Sequence, residues 1–197
     1  STHLFSPERD KLGWKVFGRR TGPALQGQIA VLEDSPIRTL EDLRGENIVY
    51  AGPEAFVGYR VPQGHLLTKD INTNAVFAGN QNAAFAQLIA GKANAVGSNS
   101  ALIDGYTEKH GTKFRVLWTS EPYLDLALMA SSKVSANDIR AVATAFNNMH
   151  KNKEGALILK QASESVGMDL ESHFLPSTDK EYDNYRRFYA TAPMSVR

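Results

Sequence analysis

Apolar residues fall along this chain in short unbroken runs set between amphipathic segments. The runs are Trp14–Phe17, Gln28–Leu32, Asn47–Ala51, Asn74–Ala78, Asn94–Gly97, Phe114–Trp118 and Leu126–Ala130. Each is of strand length, and most are continuous rather than alternating, as strands buried on both faces are. Between them the spacing turns helical. A short helix is predicted from Ile37, with Thr39 as N-cap, Glu41 and Asp42 in its first turn and Gly45 closing it. A second starts at Ala55–Gly58 and runs on through Arg60–Lys69, with Pro62 tolerable near its beginning. Ala83–Ala90 has apolar positions at Phe85, Leu88 and Ile89 and ends at Gly91, and Ala101–His110 ends at Gly111. Ser135 caps a helix to Met149 whose apolar face is Ile139, Val142, Ala143, Phe146 and Met149. Lys153–Val166 follows, closed by Gly167. Ser177–Glu181 caps a last helix with Tyr182, Tyr185, Phe188 and Tyr189.

Strands alternating with helices imply an α/β fold with a parallel sheet. Ligands bind such sheets at the carboxyl ends of the strands, where the free N–H groups of helix first turns also point. Three predicted loops lie there: Gly52–Gly58, Gly79–Asn82 and Ser98–Ser100. Gly52 and Pro53 break the strand before the first of them, and that corner, Ile37–Tyr59, organises the rest. Phe56 and Tyr59 can stack on a ligand or pack inward. Gln81 and Asn82 can hydrogen-bond a ligand or cap the next helix, and the same choice holds for Ser98, Asn99 and Ser100. Tyr123 is placed in a proline-containing loop after the Trp118 strand.

Composition narrows the function classes. The 197 residues suffice for one large or two small domains, and a net charge of +1 gives no reason to expect nucleic acid or a membrane surface as partner. No run approaches the roughly 20 apolar residues of a membrane span. No signal peptide is visible, and a start at Ser1 without Met is consistent with a processed or trimmed product. Cysteine is absent, which excludes disulfides and thiolate metal sites. The five histidines, at 3, 65, 110, 150 and 173, show no metal-ligand spacing. Arg19 and Arg20, within Gly18–Gly22, read as a solvated basic turn rather than an anion site. No nucleophile elbow, phosphate loop or dinucleotide fingerprint is present, so neither catalysis nor a cofactor is expected.

The order of motifs resembles the phosphate/phosphonate-type (PhnD-like) periplasmic solute-binding proteins of ABC importers, a branch of the type II periplasmic binding fold. The residues carrying the likeness are Ser35–Ile37, Leu40–Gly45, Pro53, Gly58, Tyr59, Pro62, Phe77, Gly79, Gly91–Ala95 and Thr178–Asp183 with Arg186, spread from about Gln28 to Tyr189. The resemblance implies ligand capture by lobe closure, with a small-molecule ligand and an ABC permease as partners, in the periplasm or another extracytoplasmic space. It implies a ligand site of Ala55, Phe56, Val57, Gly58, Tyr59, Gln81, Asn82, Ser98, Asn99, Ser100 and Tyr123, with no metal and no catalytic residue. The alternative is the ligand-sensing extracytoplasmic domain of a receptor such as a histidine kinase, with a membrane signalling partner.

The departures from that family carry the finer expectations. Its oxyanion loop reads Ser-Thr-Ser-Gly; here Ala55, Phe56, Val57 and Gly58 stand in that place, so the hydroxyls are gone. Gln81 and Asn82 replace a His-Asp pair, and Asn94 replaces an acidic residue. Amides, hydroxyls and an aromatic wall suit a neutral or zwitterionic solute better than a bare oxyanion. The likeness also enters the family pattern part-way, so the first lobe is expected to be incomplete. The division expected is residues 1–27 as a remnant of that lobe, 28–130 as the ligand-binding α/β lobe, and 131–197 as helices packing back towards the first lobe.

Overall fold

A computed structural model describes residues 5–165 and 171–197. The chain forms two units: Ser1–Ala24 with Leu124–Ala190, and Leu25–Tyr123 with Thr191–Arg197. The first unit opens with a helical turn, α1 (Pro7–Asp10), and strand β1 (Lys15–Arg20). The second holds β2 (Leu25–Leu32), β3 (Asn47–Tyr50), α2 (Val61–Thr68), β4 (Asn74–Phe77), α3 (Gln81–Ile89), β5 (Ala95–Asn99), α4 (Ser100–His110) and β6 (Phe114–Tyr123). The chain returns to the first unit with β7 (Ala127–Ala130), α5 (Ala136–Asn148), α6 (Lys153–Ser165), β8 (Phe174–Pro176) and α7 (Asp183–Thr191).

The second unit is a five-stranded sheet in the order β4-β3-β5-β2-β6. β3 runs parallel to β4, with Tyr50 opposite Phe77, and parallel to β5. β2 is antiparallel to both β5 and β6. The expected parallel sheet therefore holds for three strands and is corrected to a mixed sheet at β2 and β6. An apolar run buried on both faces reads the same in either direction. Ile29, Val31, Ile48, Tyr50, Leu43, Leu66 and Ile71 build the core of one face. Ala30, Val49, Val96, Phe85, Leu88 and Ile103 build the other. Alternate residues of β2 and β3 thus serve opposite faces, which is why those runs show no polar gaps.

Local chemistry sets the boundaries. The segment expected as a helix from Ile37 closes only one 3-10 turn, Glu41–Leu43. The Asp42 carboxylate accepts from the Arg38 and Thr39 amides, both at 2.9 Å, and so offers the chain an alternative to helical bonds. Those bonds hold its pKa below the usual carboxylate range. Gly45, Gly91 and Gly111 have positive φ where the sequence expects stops. Of the apolar positions of α3, Phe85 and Leu88 are buried and Ile89 is exposed.

In the first unit a three-stranded antiparallel sheet has the order β7-β1-β8. Ser135 caps α5 through the Asp138 amide as expected, but Val142 on the expected apolar face is exposed. The Thr178 amide donates to Glu181 at 3.0 Å ahead of α7, and Phe5 stacks on Tyr182 with ring centroids 4.9 Å apart. Arg186 binds Asp10, Asp179 and Asp183. Arg20, expected in a solvated turn, pairs with Asp125 at 2.5 Å and donates to Ser172. The expected helix end at Val166 and Gly167 lies outside the described residues, as do residues 1–4 of the expected remnant.

His65 on α2 stacks on Trp118 of β6, ring centroids 4.2 Å apart and planes 17° off parallel. Burial, then the Lys69 charge, hold its pKa below the usual histidine value. The neutral ring is therefore the form the fold favours. Its contribution is complete above a pH of about 6.5 and is lost as pH falls through the lowered value. In a Trp14→Phe background, Trp118 fluorescence is expected to change on acidification with a midpoint below that of a free histidine. His65→Gln should abolish the transition; a transition that survives it would assign the change to another group.

Candidate functional site

The carboxyl ends of β3, β4 and β5 lie side by side, and the connections leaving them form one edge of the second unit. After β3, Gly52 and Pro53 turn the chain, and Phe56–Arg60 then winds as a π-helical turn that runs directly into α2. The wider pitch is marked by the Arg60 amide, which donates to the Ala55 carbonyl at 3.1 Å. The Val57 and Gly58 amides sit in the first turn, with no helical carbonyl behind them. Among the described residues neither has a backbone carbonyl partner.

This turn rests on the sheet through glycines. A Cβ on Gly58 would stand 3.7 Å from Ser98 Cα and 3.8 Å from Asn99 N, ordinary contact. A Cβ on Gly27 of β2 would come within 2.6 Å of the Val57 carbonyl oxygen. One on Gly97 of β5 would meet the Tyr50 ring at 2.1 Å and the Gly58 oxygen at 2.9 Å. Only residues without a side chain at 27 and 97 allow the turn to lie this close.

The candidate residues fall into three groups. Ala55, Gly58 and Tyr59 are half-buried at the edge, together with Asn99 and Ser100. Phe56 and Val57 are buried, and Phe56 packs edge-on against Tyr123 with centroids 5.3 Å apart. Tyr123 itself is corrected from a loop residue to the buried end of β6, opposite Leu25. Pro122 sits within that strand opposite Gln26, where β6 lies at the edge of the sheet. Ser98–Ser100 is likewise no loop. Ser98 and Asn99 end β5, with Ser98 wholly buried, and Ser100 begins α4. The Asn99 side chain caps α4 by accepting from the Leu102 amide at 3.0 Å. Gln81 and Asn82 are also helical, in the first turn of α3; its cap is Asn80, which accepts from the Ala83 amide at 2.9 Å. Asn82 is exposed, whereas the Gln81 Nε2 atom is buried with no hydrogen-bond partner among the described residues.

The edge carries little usable charge. Arg60 donates to the Pro53 carbonyl and pairs with Glu54 at 3.3 Å. Tyr59 stays neutral, its pKa raised by burial although the Arg60 charge opposes this. Behind it Tyr50 is buried and donates its hydroxyl to Gln63 Oε1 at 2.7 Å. Reasoning from sequence named Phe77 only for the family likeness and did not single out Gly27 or Gly97. The two glycines had a signal, since glycine inside a strand marks close backbone approach. Two cavities lie elsewhere in this unit. One of about 560 Å³ is lined by Glu33, Asp104, Glu108 and Lys113 among others, and one of about 290 Å³ by Asp34, Ile37 and Asn94 among others. Neither includes a candidate residue.

Residues 6–182 match the model of the family described as the phosphonate ABC transporter periplasmic substrate-binding protein. The chain belongs to that family. Its fold is that of type II periplasmic binding proteins, as three solved structures illustrate. A Xanthomonas citri protein bound to ATP aligns at a TM-score of 0.75 and 13% identity, over 99% of this chain and 80% of that one. PhnD1 of Prochlorococcus marinus in complex with methylphosphonate aligns at 0.64 and 16%, over 94% and 71%. The binding protein component of an ABC phosphonate transporter from Pseudomonas aeruginosa aligns at 0.63 and 15%, over 92% and 64%. The chain thus spans less than two thirds of the Pseudomonas protein. No curated protein matches it. The family description names a transport component, not a signalling receptor. Among the described residues no helix is long and apolar enough to cross a membrane.

Proposed function

We propose that this protein is the extracytoplasmic solute-binding component of an ABC importer and delivers a small polar solute to a permease. The solute is held at the carboxyl edge of the β4-β3-β5 strands by the Val57 and Gly58 amides, the Gln81 amide, Tyr59 and the Asn99–Ser100 corner. The observation that carries this reading is the pair of first-turn amides without backbone carbonyl partners, seated against the end of β5. Hydrogen-bond donors converging at a strand-to-helix corner need an acceptor. The only cation in the turn, Arg60, is already paired with Glu54. A net anion would therefore meet dipoles but no counter-charge, so a neutral or zwitterionic solute is the first choice. A phosphonate-like anion is the second, favoured by the family description.

Calorimetry separates the two. The protein is titrated with phosphate, with methylphosphonate and with a panel of neutral and zwitterionic solutes. A neutral or zwitterionic solute is expected to bind at micromolar affinity, and to weaken about fivefold in Gln81→Ala, the worth of one hydrogen bond. Micromolar phosphate binding that is lost in Gln81→Ala would keep the site and reverse the choice of ligand. Unchanged affinity in both Gln81→Ala and Tyr59→Ala would remove the site.

A further inference from the structure

β4 is one of the two edge strands of its sheet, and it ends in Phe77. This phenylalanine is 42% exposed. Its ring meets Tyr59 edge to face, with centroids 4.9 Å apart and planes at 84°. Tyr59 in turn rests on Tyr50, at 4.8 Å and 70°. Tyr50 is fully buried and tied through its hydroxyl to Gln63. An accessible aromatic pair is thus braced from behind, and little ordering cost remains when something packs on it.

We propose that Tyr59 and Phe77 form an aromatic subsite that receives a flat, uncharged ring on the solute, while a hydrogen-bond acceptor attached to that ring reaches Gln81. This rests on the reading that the edge is a solute site, and adds the class of solute. One observation chooses an acceptor-bearing ring over a cationic group. The Gln81 Nε2 atom, four residues beyond Phe77, is a buried donor lacking an acceptor, and a cation cannot supply one. A ring bearing a carbonyl, carboxylate or phosphonate suits both the aromatic pair and this donor.

Matched probes test this by calorimetry: benzamide against acetamide, and phenylphosphonate against methylphosphonate. Each pair keeps the acceptor and changes only the ring. The ring-bearing member of at least one pair is expected to bind about tenfold more tightly than its partner. In Phe77→Ala that preference should shrink to about twofold or less. In Phe77→Leu, which keeps apolar bulk without a ring, most of it should also be lost. A ratio near one in the unaltered protein overturns the subsite and leaves the solute-binding reading standing. A preference that survives both substitutions overturns it too. If no member of either pair binds more tightly than about 1 mM, the subsite falls, and the solute-binding reading is decided by its own panel of solutes.

Discussion

Replacing Gly97 by alanine is expected to unfold the second unit under mild conditions. The added methyl would stand 2.1 Å from the Tyr50 ring and 2.9 Å from the Gly58 carbonyl oxygen. The nearer of the two, the Tyr50 ring, cannot yield cheaply. Tyr50 is fully buried, donates to Gln63, and is packed against Tyr59. Gly58 is backbone within the turn that rests on β5. β5 itself is held on both sides, by β3 and by β2. Overpacking in a core costs about 1–3 kcal/mol when side chains can shift, and this site allows little shift. A loss of 3 kcal/mol or more is therefore expected, on the order of what a domain can spare. The measurement is the urea midpoint followed by Trp118 fluorescence in a Trp14→Phe background. Gly105→Ala on α4 serves as control, since nothing lies within 4 Å of its added methyl and helix propensity favours alanine. A Gly97→Ala midpoint equal to that of the control would mean that β5 and the Tyr50 ring are not packed as described.

The same residues explain what reading the sequence achieved. The strand runs and glycine stops were legible because they are local. Ile48–Tyr50 and Val96 are apolar since both faces of the sheet are covered, and Gly45, Gly91 and Gly111 stop segments through their own backbone conformation. Strand direction was not legible. β2 carries the same kind of apolar run as its parallel neighbours, and only its antiparallel pairing with β5 and β6 distinguishes it.

Within the site, chain position was easier to read than side-chain direction. The carboxyl ends of β4, β3 and β5 fall on one edge, since these strands run parallel side by side in one sheet. Which side chains face outward depends on contacts distant in sequence. Phe56 and Tyr59 are both aromatic and three residues apart, yet Phe56 is committed to Tyr123 and buried, while Tyr59 stays half-exposed beside Phe77. Ser98 has the composition of a loop residue but is wholly buried at the end of β5. Tyr123 followed a proline and so read as loop; Pro122 is accommodated because its strand is at the edge of the sheet.

Gly27→Ala should act on binding more than on folding. Its methyl would lie 2.6 Å from the Val57 carbonyl oxygen and 3.3 Å from the Pro62 ring. The main obstacle is one carbonyl of a turn at the edge of the unit, which can lift away from β2 at moderate cost, about 1–2 kcal/mol. Lifting it moves the Val57 and Gly58 amides together, and with them the Tyr59 ring. Hydrogen-bonding sites lose function when donors shift by about half an ångström, so the displacement required here is sufficient. Affinity for the best ligand of the unaltered protein is expected to fall at least about tenfold, a larger change than the fall in the urea midpoint accounts for. Calorimetry and denaturation on the same preparation compare the two effects. Full affinity retained in a folded Gly27→Ala protein would show that the position of the turn does not set the site, and the amides of Val57 and Gly58 would lose their place in it.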